Sequence, residues 1–248
     1  MAKSKIEWTH SVWNPVTGCT PVSEGCQKCW AKRMATRLKG RFGYPADDPF
    51  RVTFHPDRLE DPIGWHKPRH IFVSSMGDLF HEDVKDEWIN KIFAMMTSPI
   101  FGAPQHTYIL LTKRPVRILA GHPEHFAKWP NIWLGVTVES DKYKWRIDDL
   151  LQIQAAVRFV SYEPALGPLT ELYEYLQWNQ LHWVIAGCES GPGRRPAKIE
   201  WFRDIKDQCV EAEIPFFLKQ REVEFGNGKL GIEKRPMLDG RVWDQLPG

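Results

Sequence analysis

The sequence predicts an α/β protein whose parallel strands form a TIM-like β/α barrel, complete or partial, as a single domain over residues 1–248. Short apolar runs rich in β-branched and aromatic residues recur along the chain, which is typical of buried parallel strands. Segments with helical spacing lie between several of these runs. Successive runs also start far enough apart to hold a helix and a right-handed crossover.

The predicted strands and helices follow one another along most of the chain. Six buried strands are predicted at 71–75, 108–112, 132–138, 158–162, 182–187 and 216–220, with weaker candidates at 6–9 and 51–55. Apolar stripes predict one helix around Trp88 to Met96 and another around Trp201 to Cys209. The segment 40–68 is predicted as a long loop with a short strand, and an irregular C-terminal tail is predicted from about residue 221.

Composition and charge exclude some classes of protein. The formal net charge is only +2, so the overall charge does not by itself indicate a nucleic-acid-binding protein. No run of 18 apolar residues is present, so a transmembrane helix is not expected. The first ten residues have no apolar signal core, so we expect a cytoplasmic protein. Between residues 31 and 41 there are five cations and no acid, a pattern that fits either phosphate contacts or a solvated helix face.

Three of the five cysteines lie in one short loop, at 19–29, ahead of this basic segment. Cys19, Cys26 and Cys29 are separated by six and then two residues. Three clustered thiols suit a soft metal or an iron–sulfur cluster that keeps one position open. A histidine completing a four-ligand zinc site is the alternative, with candidates at His10, His55 and His66.

Almost every predicted strand ends in polar residues. In a parallel barrel these ends converge on the face that carries active sites. The sequence therefore predicts a shared site formed by the strand ends. Its candidate residues are Ser74, Ser75, Met76, Gly77, Asp78, Thr112, Lys113, Arg114, Glu139, Ser161, Glu163, Glu189 and Lys219.

The three-cysteine loop after an early strand resembles that of the radical S-adenosylmethionine (SAM) superfamily. The wider set of motifs resembles a phage-associated three-cysteine family related to it. The motifs are "WNPVTGCTPVSEGCQKCWAKRMA", "HIFVSSMGDLFHEDV", "YILLTKRP", "NIWLGVTVES", "RFVSYEPALGPL", "HWVIAGCESGPGRRP" and "IPFFLKQ". The superfamily's usual cysteine spacing is three and two residues, and Cys188 stands where the related family has glycine.

The resemblance implies an enzyme with a 4Fe-4S cluster on Cys19, Cys26 and Cys29, with SAM bound to the open iron and cleaved to a 5'-deoxyadenosyl radical. It implies SAM binding by residues 74–78, with Asp78 facing the ammonium group, and by Thr112, Arg114, Glu139 and Ser161. Substrate-side catalytic roles would fall to Lys113, Glu163, Glu189 and Lys219. It further implies an external electron donor and, for a phage-encoded protein, the host cytoplasm.

The expected substrate is a nucleic-acid base or nucleotide, modified or repaired, because cations accompany the phage-like motifs. Two other functions stay open from the residues alone. One is a nucleic-acid-binding protein stabilised by zinc or a cluster, without catalysis. The other is a barrel hydrolase or lyase that uses Glu139, Glu163 and Glu189 as acid and base.

Overall fold

The computed structural model describes residues 4, 6–121, 126, 128–177, 180–226 and 229–248. Over these residues the chain has a mixed α/β fold, and eight of its strands belong to a large, mostly parallel sheet. The chain divides into two compact units. The first is Met1–Leu134 with Ile153–Ala156, and the second is Gly135–Gln152 with Val157–Gly248.

The strands and helices are short and alternate over much of the chain. The strands are β1 (Ser11–Trp13), β2 (Val16–Thr17), β3 (Thr53–Phe54), β4 (His70–Val73), β5 (Thr107–Thr112), β6 (Ile132–Thr137), β7 (Val157–Tyr162), β8 (Trp183–Gly187), β9 (Phe216–Glu224), β10 (Leu230–Lys234), β11 (Met237–Leu238) and β12 (Arg241–Val242). The helices are α1 (Trp30–Arg37), α2 (Asp86–Thr97), α3 (Pro115–Gly121), α4 (Trp145–Leu151), α5 (Tyr173–Leu176) and α6 (Ile199–Glu211).

In the first unit, β4 pairs in parallel with β1 on one side and with β5 on the other. The three strands place Trp13, Val73 and Leu110 in the core, each at most 2% exposed. Helix α2 forms because its apolar residues recur at helical spacing, and this stripe is buried. Strands β2 and β3 form a separate antiparallel pair next to the cysteine loop.

In the second unit, β8 pairs in parallel with β7 and with β9, and β9 pairs in antiparallel register with β10. All five residues of β8 are buried, as expected of a parallel strand covered on both faces. Gly135 in β6 permits close packing, because a Cβ atom there would lie 2.4 Å from the ring of Phe159.

Most predicted elements are present. The six strands predicted with buried sequences correspond to β4 to β9, and both predicted helices form. The strand predicted at 6–9 is wrong, because the first strand is Ser11–Trp13. The strand predicted at 51–55 is β3, which pairs with β2 in a separate two-stranded sheet.

The tail predicted to be irregular from about residue 221 instead contains the end of β9 and strands β10 to β12. Its strands are largely exposed and charged, so their apolar pattern is weak. Closure of the main sheet into a barrel and the single-domain organisation stay predictions. None of the helices in the described part of the chain is both long enough and apolar enough to cross a membrane.

Candidate functional site

The cysteine loop follows β2 in the first unit and is anchored at its start. The Gly18 N–H donates to the Met76 carbonyl at 2.9 Å, and the Cys19 N–H donates to the Phe50 carbonyl at 3.2 Å. Cys26 ends a 3-10 helix, and Cys29 lies directly before α1. All three thiols are free and partly buried. The loop is therefore tied at its start to the chain after β4, while its thiols remain partly accessible.

The environment of Cys19 keeps its thiol protonated when no metal is bound. Burial raises the pKa of Cys19 to about 12, the negative charge of Asp78 adds to this effect, and Arg114 opposes it. Metal binding requires the thiolate, so binding at Cys19 would release a proton. A metal cation would add to the positive charge of Arg114 in favouring the thiolate.

The loop after β4 contains the predicted residues 74–78. Ser74 adopts a left-handed conformation with φ of 56°, and its N–H donates to the Trp13 carbonyl at 2.7 Å. Its hydroxyl is buried and has no hydrogen-bond partner within the described residues. A buried hydroxyl without a partner is costly, so Ser74 Oγ is a candidate ligand contact.

Asn14 holds the middle of this loop. Its Oδ1 accepts from Ser75 Oγ at 3.2 Å and from the Met76 N–H at 3.0 Å. The Met76 side chain is buried with Ala31, Ala35 and Tyr44, so only its backbone is available to a ligand.

Two glycines allow the cysteine loop and the loop after β4 to approach closely. Gly18 and Gly77 form a parallel β-bridge. A Cβ atom at Gly77 would lie 2.6 Å from the Gly18 carbonyl oxygen, and Gly18 itself has φ of +90°. A side chain at Gly77 would force the two loops apart, and a Cβ atom at Gly18 would lie 2.2 Å from the Arg51 carbonyl oxygen, so glycine is needed at both positions.

Asp78 is fixed at the ends of β4 and β5. Its carboxylate accepts from Thr112 Oγ1 at 2.8 and 3.0 Å, from the Lys113 N–H at 3.1 Å and from the Phe80 N–H at 3.0 Å. The Asp78 side chain is buried, and the Thr112 hydroxyl also accepts from the Arg114 N–H at 2.9 Å. The structure thus brings together Asp78, Thr112, Lys113 and Arg114.

Arg114 links this group to the cysteine loop. Its Nη2 donates to the Thr20 carbonyl at 3.0 Å and to Thr20 Oγ1 at 2.9 Å, and its Nη1 pairs with Glu82. The buried His81 Nε2 lies 2.8 Å from the same Thr20 hydroxyl. Because His81 Nδ1 accepts from the Asp83 N–H, Nε2 is the donor to Thr20. Arg114 and His81 therefore hold Thr20, the residue next to Cys19.

The donor set fits an iron–sulfur cluster with an open position. Three thiols on one loop are soft ligands, and the Ser74 hydroxyl, in the loop after β4, has no hydrogen-bond partner in the described part of the chain. Within the described ranges, no group of three or more His, Cys, Asp or Glu side chains is arranged to hold a single metal ion. In a 4Fe-4S cluster the three cysteine ligands each bind a different iron atom, so they need not converge on one ion as the ligands of a single-metal site do.

The second unit carries the remaining predicted residues, beginning with Glu139. Its Oε2 lies 2.8 Å from Arg146 Nη1, and both side chains are at most 1% exposed. Arg146 also donates to the Thr137 carbonyl at 2.9 Å and stacks over the Tyr143 ring at 4.4 Å. Paired charges of this kind satisfy each other in a buried position, so Glu139 is held by Arg146.

The ends of β7, β8 and β9 form a second polar cluster. Lys219 Nζ lies 2.5 Å from Glu163 Oε1, with both side chains 20% exposed. Gln220 Nε2 donates to the Cys188 carbonyl at 2.9 Å. Burial, with added repulsion from Glu163 and Glu222, raises the pKa of Cys188 to about 12, so its thiol is protonated at neutral pH.

Glu189 lies at the end of β8 and is paired with Arg195. The Arg195 N–H and Nε donate to Glu189 Oε2 at 2.8 and 3.1 Å, and Nη2 contacts Oε1. Ser161 is buried inside β7, and its carbonyl accepts from the Val138 N–H at 3.0 Å. Glu139, Glu163 and Glu189 therefore each have a cationic partner.

Asn14 and Thr20 organise these groups but carry no sequence signal of their own, because they act through hydrogen bonds to residues distant in the chain. Gln220 ends a predicted strand and His81 precedes a predicted helix, but their partners Cys188 and Thr20 are not evident from the sequence. Arg146 is missed because nothing in its sequence context distinguishes a buried cation from a solvated one.

Comparison with solved structures finds spore photoproduct lyase. A cysteine-to-serine variant has a TM-score of 0.51 and 12% sequence identity, covering 94% of this chain and 71% of that chain. The lyase complexed with dinucleoside spore photoproduct has a TM-score of 0.48 and 10% identity, covering 89% and 67%. A doubly substituted variant with bound AdoMet and dinucleoside spore photoproduct has a TM-score of 0.48 and 11% identity, covering 90% and 68%.

At this identity the first of these comparisons shows a shared fold. No curated protein matches the sequence. Residues 3–247 match the family model described as protein of unknown function (DUF5131), and the chain therefore belongs to the DUF5131 family.

Proposed function

We propose that the protein is a radical SAM-like iron–sulfur enzyme. The observation that carries the proposal is the loop of three partly buried free thiols, tied through Gly18 and Thr20 to the chain after β4 and β5. Cys19, Cys26 and Cys29 hold a 4Fe-4S cluster in this proposal. The fold shared with spore photoproduct lyase and the resemblance of the motifs to the radical SAM superfamily support it.

When bound, the cluster and SAM supply a 5'-deoxyadenosyl radical by reductive cleavage of the sulfonium, with the electron from an external donor. The chain's own residues bind SAM and orient it. The Asp78 carboxylate is pre-oriented by Thr112 and two backbone N–H groups, so it offers a fixed negative charge to an ammonium group. The Ser74 hydroxyl, in the same loop, has no hydrogen-bond partner among the described residues and offers a donor to a ligand, and Ser75 and the backbone of Met76 and Gly77 complete the loop.

Arg114 has a positioning role in this proposal. Its guanidinium bridges Thr20, next to Cys19, and Glu82. It supplies positive charge near the Cys19 sulfur, which favours the thiolate that a cluster needs. Glu139 and Ser161 are proposed to contact SAM, with Arg146 holding the Glu139 carboxylate in place.

Lys113, Glu163, Glu189 and Lys219 are proposed to face the substrate, which is a nucleic-acid base or nucleotide. The pairing of Glu163 with Lys219 and of Glu189 with Arg195 favours hydrogen bonding and positioning of substrate over acid–base catalysis by a free carboxylate. In this proposal the main sheet is a TIM-like barrel and the enzyme works in the cytoplasm, that of the host for a phage-encoded protein.

Anaerobic purification followed by metal analysis and electron paramagnetic resonance tests the proposal. We expect about four irons per chain and a signal of the reduced protein that changes when SAM is added. Substituting Cys19, Cys26 or Cys29 with Ala removes the cluster, whereas Cys209→Ala, in the buried face of α6, leaves the iron content unchanged. Stoichiometric zinc, or a cluster signal indifferent to SAM, overturns the proposal and favours a binding protein without catalysis.

A further inference from the structure

Helix α1 and the turn after it expose a basic face. Lys32, Arg37, Lys39 and Arg41 are all exposed. Within the described part of the chain, none of these four side chains forms a salt bridge. Elsewhere exposed cations often have acidic partners, as Lys91 has Glu87. These four side chains therefore form a local concentration of positive charge, although the formal net charge of the chain is only +2.

The orientation of α1 is decided by its small residues. Ala31 and Ala35 are buried against Tyr44 and Met76, and this packing directs the opposite side of the helix outward. The helical period, which places Ala31 and Ala35 on the buried face, leaves Lys32 and Arg37 exposed on α1, and Lys39 and Arg41 are exposed in the turn that follows the helix.

Two aromatic side chains flank the cations. Trp30, the first residue of α1, is 49% exposed, and Phe42, beyond the last cation, is 71% exposed. Exposed aromatic rings interleaved with cations are typical of surfaces that bind single strands, where bases stack on rings and phosphates contact cations. In duplexes the faces of the bases are covered by their neighbours, so stacking of this kind requires an unpaired strand.

We propose that this surface, the α1 surface (Trp30, Lys32, Arg37, Lys39, Arg41 and Phe42), binds single-stranded nucleic acid. Its cations contact phosphates, and its two aromatic side chains stack on bases. The inference rests on the proposed function and narrows its substrate class to a polymer, because a surface with several phosphate and base contacts binds more than one nucleotide. Cys29 immediately precedes Trp30, so a strand bound to the α1 surface is held next to the cysteine loop.

Fluorescence anisotropy of a labelled single-stranded oligonucleotide of about 16 nucleotides tests the proposal. The titrations use anaerobically purified protein over a series of salt concentrations. We expect binding that weakens with salt, because each phosphate contact on a single strand contributes about 0.7 to the slope of log affinity against log salt. A duplex of the same length binds more weakly.

The variant Lys32→Gln, Arg37→Gln, Lys39→Gln lowers the slope by about 2, because three phosphate contacts are lost. A control with the same change in net charge is Lys91→Gln, Arg203→Gln, Arg235→Gln, whose side chains are exposed and paired with acids. This control leaves the slope unchanged. Arg41 is kept because its guanidinium donates to the Arg37 carbonyl at the end of α1.

Trp30→Ala tests stacking separately from charge. We expect about tenfold weaker binding with an unchanged salt slope, and near-complete rescue by Trp30→Phe, since any aromatic face can stack. Circular dichroism and iron content of each variant verify that fold and cluster are intact. Equal loss in the two triple variants overturns the inference, as does stronger binding to the duplex or salt-sensitive binding only to vesicles containing phosphatidylglycerol.

The inference and the proposed function fail in different ways. A SAM-responsive cluster in a protein that binds no oligonucleotide leaves the proposed enzyme class standing and removes the α1 surface as a nucleic-acid site. Binding of oligonucleotide that depends on Lys32, Arg37 and Lys39 in a protein with no cluster supports the surface and removes the radical chemistry.

Discussion

Individual polar residues in the first unit are held by partners that lie far away in the chain. Asp78 accepts hydrogen bonds from Thr112 and Lys113, and Thr20 is held by Arg114 and His81. Such contacts fix side-chain direction before any ligand arrives, which is what a binding site requires. These polar residues therefore form one hydrogen-bonded group that links the cysteine loop to the chain after β4 and β5.

His55 makes the stability of the protein depend on pH. Its side chain is 3% exposed, its Nε2 lies 2.8 Å from Thr17 Oγ1, and burial, assisted by Arg58, lowers its pKa to about 4. At a pH between these two pKa values, His55 is protonated in the unfolded chain, where its pKa is near 6.5, and neutral in the folded chain. Stability is therefore full above pH about 6.5 and falls by about 3 kcal/mol as the pH approaches 4.

Urea unfolding at pH 7 and at pH 4.5 measures this effect in the wild type and in His55→Gln. The other histidines are present in both proteins, so the difference in pH dependence isolates His55. We expect the variant to lose less stability than the wild type between the two pH values. An identical pH dependence in both proteins would show that His55 does not titrate as described.

At the scale of elements, close backbone approaches decide how the loops around the thiols are arranged. The bridge between Gly18 and Gly77 brings the end of β2 to the loop after β4, and the short pair β2 and β3 supports it. Helix α1 is oriented by Ala31 and Ala35, which explains why its cations face outward. The arrangement of the cysteine loop thus depends on small residues more than on the cysteines themselves.

Gly77→Ala tests this close approach. A Cβ atom would lie 2.6 Å from the Gly18 carbonyl oxygen, so the backbones must separate, and we expect a loss of about 1–3 kcal/mol in the free energy of unfolding. The matched control is Gly64→Ala, where a Cβ atom meets nothing within 4 Å. Chemical denaturation compares the two variants. Equal stability of both would contradict a structural role for Gly77.

At the scale of the whole molecule, the chain has two compact units and the sequence predicts one domain. A chain that folds as a single domain unfolds in one cooperative transition. We expect this result from scanning calorimetry of the anaerobically purified protein. Two separate transitions would instead show that the two units unfold independently.

The secondary structure was largely predictable because buried parallel strands have a strong local signal. The runs that became β4 to β9 are apolar and rich in β-branched residues, and the bounds of β4 to β8 lie within about two residues of the predicted ones, while β9 runs on to Glu224. Strand β1 was misplaced because its buried residues, Ser11 and Trp13, are too few to form a pattern. The strands after Gln220 were missed because they are largely exposed and therefore lack an apolar pattern, although they pair as hairpins with their neighbours in sequence.

The sequence by itself determined the α/β class, the cysteine loop and the positions of the polar strand ends, because these depend on local periodicity and on residue type. Only the tertiary structure decided that Glu139 pairs with Arg146, that the Ser74 hydroxyl is buried without a partner among the described residues and that Asp78 is held by Thr112. It also decided that the α1 cations lie on an exposed face. The physical reason is that burial and hydrogen-bond partners depend on residues brought together from distant parts of the chain, and local sequence does not specify them.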